Sequence, residues 1–219
     1  MNREKFKQIV ETLKHRYSIT YPAHIRPSNP FATLVGAVLS HRTKDEMTDI
    51  AFERLFKKYK TPEDIAKAPV RELEKLIRGV GFYRQKAKRL KKIAGIILAK
   101  HNGQVPNDRD ELMKLPGVGP KTADIVLSFA FRLPEIAVDT HVETVAKRLG
   151  IADEKDGYEE IKRKLEELTE IDDRPLINTL FVKFGKEICR RPIPKCRLCP
   201  FTTLCRYYQN TITKSGKEP

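Results

Sequence analysis

Leu115-Pro116-Gly117-Val118-Gly119-Pro120-Lys121-Thr122-Ala123 is the stretch on which the fold turns. It holds an apolar helix end, a turn with two glycines, and a proline at the first position of the next helix. Together these describe a tight hairpin between two helices. Glycine lets backbone approach a partner closely, and the N–H groups at a helix start suit a phosphate. A hairpin so built holds DNA by its backbone without reading sequence. The Gly-Val-Gly triplet by itself is a weak signal that fits an ordinary helical hairpin, whose glycines only make the turn, better than a DNA-binding one. Lys121 stands just inside the new helix, where the positive end of the macrodipole disfavours an ammonium, and Lys114 adds a neighbouring cation. A neutral amine there is a nucleophile, although a lysine at any one position is more often simple surface.

Outward from the hairpin the periodicity is helical. Upstream, Ala87, Leu90, Ile93, Ala94, Ile97 and Leu98 form an amphipathic stripe that ends at Asn102-Gly103. Before it, Leu73, Leu76 and Ile77 precede Gly79, Thr61-Pro62-Glu63-Asp64 opens a short helix, and Met47, Ile50, Ala51 and Leu55 mark another. Asn29-Pro30 reads as an N-cap with proline behind it, leading into the apolar Phe31–Leu39. Phe6, Ile9, Val10, Leu13 and Tyr17 lie on one helical face. Downstream, Ala123, Val126, Leu127 and Ala130 continue the hairpin's second helix. Helices over 140–149, 158–168 and 175–184 follow, and the tail from Thr211 reads as frayed. No alternating strand pattern competes, so the expected fold is all-α, and no internal repeat points to a solenoid.

Two further groups carry chemistry. Asp139 follows Ile136-Ala137-Val138 and precedes Thr140-His141-Val142-Glu143, where Thr140 and Glu143 have capping-box spacing. An acid ahead of a helix is usually part of its cap; the functional alternative is a carboxylate facing the sugar that Lys121 attacks. Cys189, Cys196, Cys199 and Cys205 are the only cysteines, spaced C-x6-C-x2-C-x5-C. Four thiolates in so short a span can surround one metal centre, and on spacing alone zinc and an iron–sulfur cluster both fit. Between and beside them stand Arg190, Arg191, Lys195, Arg197 and Arg206, a basic loop that a metal would hold in shape.

Composition sets the outer bounds. Hydrophobic residues are 40% and charged residues 33%, which excludes a disordered tail, and the apolar runs are too short to span a bilayer. The first residues open an amphipathic pattern instead of an apolar run, so an intracellular, soluble protein is expected. Lysine and arginine number 43 against 29 acids, a net charge of +14 that favours a polyanionic partner. Four glutamines and no tryptophan, with abundant lysine and glutamate, fit a heat-adapted source. No phosphate-binding Gly-x4-Gly-Lys-Ser/Thr run supports an ATPase, and no set of spaced carboxylates supports a magnesium nuclease.

These residues together resemble the endonuclease III family. The stretch from Leu115 to Ala123 resembles its helix–hairpin–helix. Val138-Asp139-Thr140-His141, with Asp139 eighteen residues after Lys121, resembles the segment of its catalytic aspartate, and the cysteine spacing resembles its [4Fe–4S] loop. The resemblance implies a two-lobed all-α fold. One lobe is a six-helix barrel over 23–133 that contains the hairpin; the other is a discontinuous iron–sulfur lobe of 1–22 and 134–219, with DNA in the cleft between them. It implies a bifunctional DNA glycosylase and AP lyase of base-excision repair, acting on oxidised pyrimidines of the thymine glycol type. The damaged nucleotide flips out of the duplex. Lys121 then displaces the base, and β-elimination through a Schiff base cuts the strand 3′ to the abasic site. Asp139 either deprotonates Lys121 or stabilises charge on the sugar. The implied DNA contacts are Gly117, Val118 and Gly119 of the hairpin, Arg190, Arg191 and Lys195 of the cysteine loop, Arg42 and Phe82. Arg42 stands where the family usually has the glutamine that enters the gap left by the flipped base. Phe82, in Val80-Gly81-Phe82-Tyr83, stands where an apolar wedge is expected, although a core aromatic at a helix junction fits that position equally. The expected partner is double-stranded DNA with damaged bases or abasic sites, met by a monomer in the cytoplasm or nucleoid. A non-catalytic DNA-binding protein would need neither Lys121 nor Asp139, and a monofunctional mismatch glycosylase would lack the lysine.

Overall fold

The computed structural model describes residues 1–19 and 29–212; among these there are eleven α-helices and no strand. In chain order they are α1 (Arg3–Tyr17), α2 (Pro30–Ser40), α3 (Asp45–Lys58), α4 (Pro62–Lys67), α5 (Val70–Leu76), α6 (Tyr83–His101), α7 (Arg109–Met113), α8 (Pro120–Ala130), α9 (Thr140–Leu149), α10 (Tyr158–Leu168) and α11 (Arg174–Glu187). None of them is long and apolar enough to cross a membrane. The all-α expectation holds. Of the tail expected to fray, Thr211 and Ile212 end a helical turn that begins at Tyr208, and the remainder lies outside the described residues.

Helix ends follow local chemistry. Asn29 caps α2 by accepting from the Phe31 and Ala32 N–H groups, with Pro30 behind it. Thr61 and Asp64 form a reciprocal capping box on α4. Asn102 ends α6 in the left-handed region at φ 51°, and Gly150 ends α9 at φ 79°.

The chain divides into two compact units, one of Met1–Arg26 with Pro134–Pro219 and one of Pro27–Leu133. The sequence boundary at residue 23 lies outside the described residues. The first unit has its own core. Phe6, Ile9, Leu13, Leu180, Phe181 and Phe184 are buried together, and Phe6 meets Phe181 edge-on at 6.2 Å between ring centroids. Burial of that apolar face of α1 against α11 is what joins chain start to chain end. The second unit buries a separate core around α2, whose Phe31, Leu34, Val35, Val38 and Leu39 pack among α3, α6 and α8. Truncating one such leucine to alanine costs about 2–5 kcal/mol. Ile50, placed on the apolar stripe of α3 by its spacing, is exposed; Thr48, Ala51 and Leu55 are the buried residues of that helix.

Candidate active site and thiol cage

In the second unit α7, the turn and α8 form the hairpin. Gly117 adopts φ +73°, the left-handed region where a side chain is strained, and a Cβ there would lie 2.3 Å from the Arg89 guanidinium. Gly119 caps α8 with no side-chain bond, and a Cβ built on it meets nothing within 4 Å. The Lys121 and Thr122 N–H groups fall in the first turn of α8, where no helical carbonyl precedes them, and Lys121 itself is exposed. Val118 contributes to this surface by backbone alone, because its side chain is buried in the unit's core. One interaction that periodicity did not reveal fixes the hairpin. Asp124 of α8 is fully buried and receives Arg109 of α7 through Nε at 2.8 Å and Nη2 at 3.3 Å. That two-pronged bond ties the one-turn α7 to α8.

Arg42 and Phe82 sit in two turns of the same unit that the fold brings together. Both have left-handed backbones, at φ 52° and φ 57°. The Arg42 guanidinium lies 6.0 Å from the Phe82 ring centroid. Phe82 is 57% exposed, so it is not a core aromatic. His41, Arg42, Phe82, Gln85, Lys86 and Arg89 line one open depression of about 490 Å³ without a carboxylate. Partial burial, then the cations Lys86, Arg42, Lys121 and Arg89, hold the His41 imidazole below its ordinary pKa. Lys86, which sequence reasoning passed over as one of many lysines, is buried, and burial pushes its pKa down to about 8.

In the first unit Asp139 is the N-cap of α9. Its Oδ1 accepts from the His141 N–H at 2.9 Å and the Val142 N–H at 2.8 Å. The capping-box spacing of Thr140 and Glu143 is therefore not used: the cap lies one residue earlier, and Glu143 pairs with Lys147 at 2.7 Å instead. The side chain is half-buried, and its second oxygen is not part of the cap.

The four cysteines follow α11 in the same unit. Cys196 and Cys205 are buried, Cys189 and Cys199 half-buried, and all four line one cavity of about 310 Å³ together with Phe184 and Tyr207. Among the described residues no three His, Cys, Asp or Glu side chains form a group that holds a metal ion. Burial raises the Cys189 thiol and pushes Cys199 up to about 12, so ionising these sulfurs requires a strong local positive charge. Arg148 of α9, another residue the sequence did not single out, straps the segment. Its guanidinium donates to the carbonyls of Cys189 at 2.9 Å, Arg190 at 3.0 Å and Pro192 at 3.2 Å, and contacts the Cys189 Sγ at 3.5 Å. Arg190, Arg191 and Lys195 are exposed along the loop between Cys189 and Cys196. Arg206 is not displayed in the same way, since it is held by Asp153 and the carbonyls of Lys147 and Ala152.

A family model described as HhH-GPD superfamily base excision DNA repair protein matches residues 35–170, which include the hairpin, Lys121 and Asp139. The class defined by this fold is thus a helix–hairpin–helix protein of base-excision repair. Endonuclease III of Bacillus subtilis (strain 168) is 44% identical over 187 residues, 85% of each chain. Endonuclease III of Thermotoga maritima is 40% identical over 92% of this chain and 94% of its own. A solved structure of a trapped covalent intermediate of endonuclease III with DNA, an estranged-adenine complex, matches with TM-score 0.88 at 37% identity, covering 99% of this chain and 100% of that one. The chain belongs to the endonuclease III family, and its activity is that of a DNA glycosylase and AP lyase.

Proposed function

We propose that this enzyme removes oxidised pyrimidines of the thymine glycol type from duplex DNA and then cuts the strand through a Schiff base on Lys121. The observation that carries the reading is an exposed lysine amine in the first turn of a hairpin helix whose N–H groups are uncapped. Those N–H groups receive a backbone phosphate, with Gly117, Val118 and Gly119 giving the close approach. The Lys121 nitrogen attacks C1′ of the flipped nucleotide, and the base leaves with the electrons of the glycosidic bond and a proton. The C1′–O4′ bond then opens, with a proton going to O4′, to give an iminium that acidifies the 2′ hydrogen; removal of that hydrogen expels the 3′ phosphate, which is β-elimination. Asp139 supplies the carboxylate for this chemistry, as base toward the amine or as counter-charge to the sugar. Arg42 and Phe82 enter the duplex where the nucleotide leaves it.

Cys189, Cys196, Cys199 and Cys205 would hold a [4Fe–4S] cluster, whose iron would supply the positive charge that buried thiols need in order to ionise. The support is one cavity ringed by four thiols and strapped by Arg148. The loop so fixed presents Arg190, Arg191 and Lys195 to phosphates. Borohydride reduction on an abasic duplex tests the central step. The parent enzyme should give a covalent protein–DNA adduct and Lys121→Gln none, with duplex affinity kept; equal trapping by both removes Lys121 from the reaction.

A further inference from the structure

Lys86 has no place in the scheme above, yet it is the most constrained lysine in the second unit. It is 2% exposed, and its Nζ donates to the Leu39 carbonyl at 2.8 Å, the His41 carbonyl at 2.6 Å and the Thr43 hydroxyl at 3.1 Å. An ammonium has three hydrogens, and here each meets one acceptor. A buried lysine among neutral oxygens is a costly way to fill space, because an apolar side chain would pack there without desolvating a charge. Its three acceptors bracket Arg42, the residue held at φ 52°. A backbone in that region persists only where its surroundings over-determine it.

The second turn is tied to the same point. The Gly81 N–H donates to the Thr43 hydroxyl at 3.1 Å, and a Cβ on Gly81 would stand 2.5 Å from the Arg42 carbonyl oxygen. The Lys86 backbone N–H donates to the Phe82 carbonyl at 3.0 Å. One residue therefore holds the Arg42 turn with its side chain and the Phe82 turn with its main chain. We propose that Lys86 is a positioning residue for base extrusion, locking Arg42 and Phe82 into one preassembled wedge. This rests on the reading that both side chains enter the duplex. A wedge already set before contact spends no binding energy on ordering two loops, so its loss falls on turnover.

Lys86→Met in the full chain removes the donor and keeps the length. On a duplex with one thymine glycol, kcat should fall about ten- to a hundredfold, the scale of a misplaced positioning group, with KM within about twofold. Borohydride trapping on a single-stranded abasic oligonucleotide, where nothing is extruded, should match the parent. In an Arg42→Ala/Phe82→Ala background the further loss from Lys86→Met should vanish. Parent-like kcat in folded Lys86→Met overturns the proposal, as does an equal loss in the background without the wedge. Full activity of Arg42→Ala/Phe82→Ala alone overturns the wedge reading itself, and Lys86 with it. If Lys86→Met does not fold, Thr43→Val removes the shared hydroxyl and leaves the ammonium its two carbonyl acceptors, Leu39 and His41. It should lower kcat on the lesion duplex by at least about tenfold, because the Lys86 ammonium and the Gly81 N–H both lose an acceptor. Unchanged kcat there refutes the lock.

Discussion

Replacing Asp139 by asparagine separates the two jobs open to one carboxylate. The Oδ1 atom caps α9 through the His141 and Val142 N–H groups at 2.9 and 2.8 Å. An asparagine oxygen makes the same two bonds, and asparagine and aspartate are about equal as N-caps. What is lost is a charge at the positive end of a helix, about 0.3–1 kcal/mol. For a chain of this length that lowers Tm by at most about 4 °C. Asp139→Ala also loses both cap bonds, which costs about 0.5–2 kcal/mol more and a correspondingly larger drop. Turnover should not follow this ladder. If the carboxylate is a base or a counter-charge, Asp139→Asn loses at least about tenfold in kcat, or about 1.4 kcal/mol of barrier, despite its intact cap. Single-turnover cleavage of a thymine glycol duplex, beside thermal unfolding of the three proteins, measures both quantities. If Asp139→Asn keeps the parent's kcat and only Asp139→Ala suffers, Asp139 is a cap and nothing more.

The hairpin glycines should divide likewise. Gly117→Ala meets both a left-handed backbone and Arg89, so it should destabilise by about 1–2 kcal/mol. Gly119→Ala points a methyl into open space and should leave stability within about 0.5 kcal/mol while weakening duplex binding; unchanged affinity means that no phosphate sits there. Purified without oxygen, the protein should be yellow-brown and contain iron and sulfide, and Cys196→Ser should unfold more readily; a colourless, fully active protein with one zinc rules out the cluster. Arg190→Ala or Lys195→Ala should flatten the plot of log affinity against log salt by about one unit on every duplex, whereas Phe82→Ala should leave that slope alone. A parent slope in the loop variants makes those charges solvated surface.

The sequence by itself determined the helical elements and which residues are candidates for the chemistry. Helix starts at Asn29-Pro30 and Thr61-Pro62, and the stop at Asn102, are local signals, because a cap needs only its own few neighbours. The spacing of four cysteines, and of Lys121 and Asp139, is likewise carried in the linear chain. The one-turn α7 stayed hidden because five residues are too few for a helical period to show. Tertiary structure decided which polar residues mattered. Lys86 lies 47 residues from the Leu39 carbonyl it holds, and Arg148 lies 41 from the Cys189 carbonyl. Asp124 carries no distinguishing signal in the linear chain and matters only because the fold buries it against Arg109. Ile50 is exposed although its spacing placed it on the apolar stripe of α3, because packing of neighbouring helices settles which edge of such a stripe meets the core. Periodicity is a property of one segment, whereas desolvation depends on everything that closes around a side chain; the value of a buried charge is therefore fixed only when the helices have met.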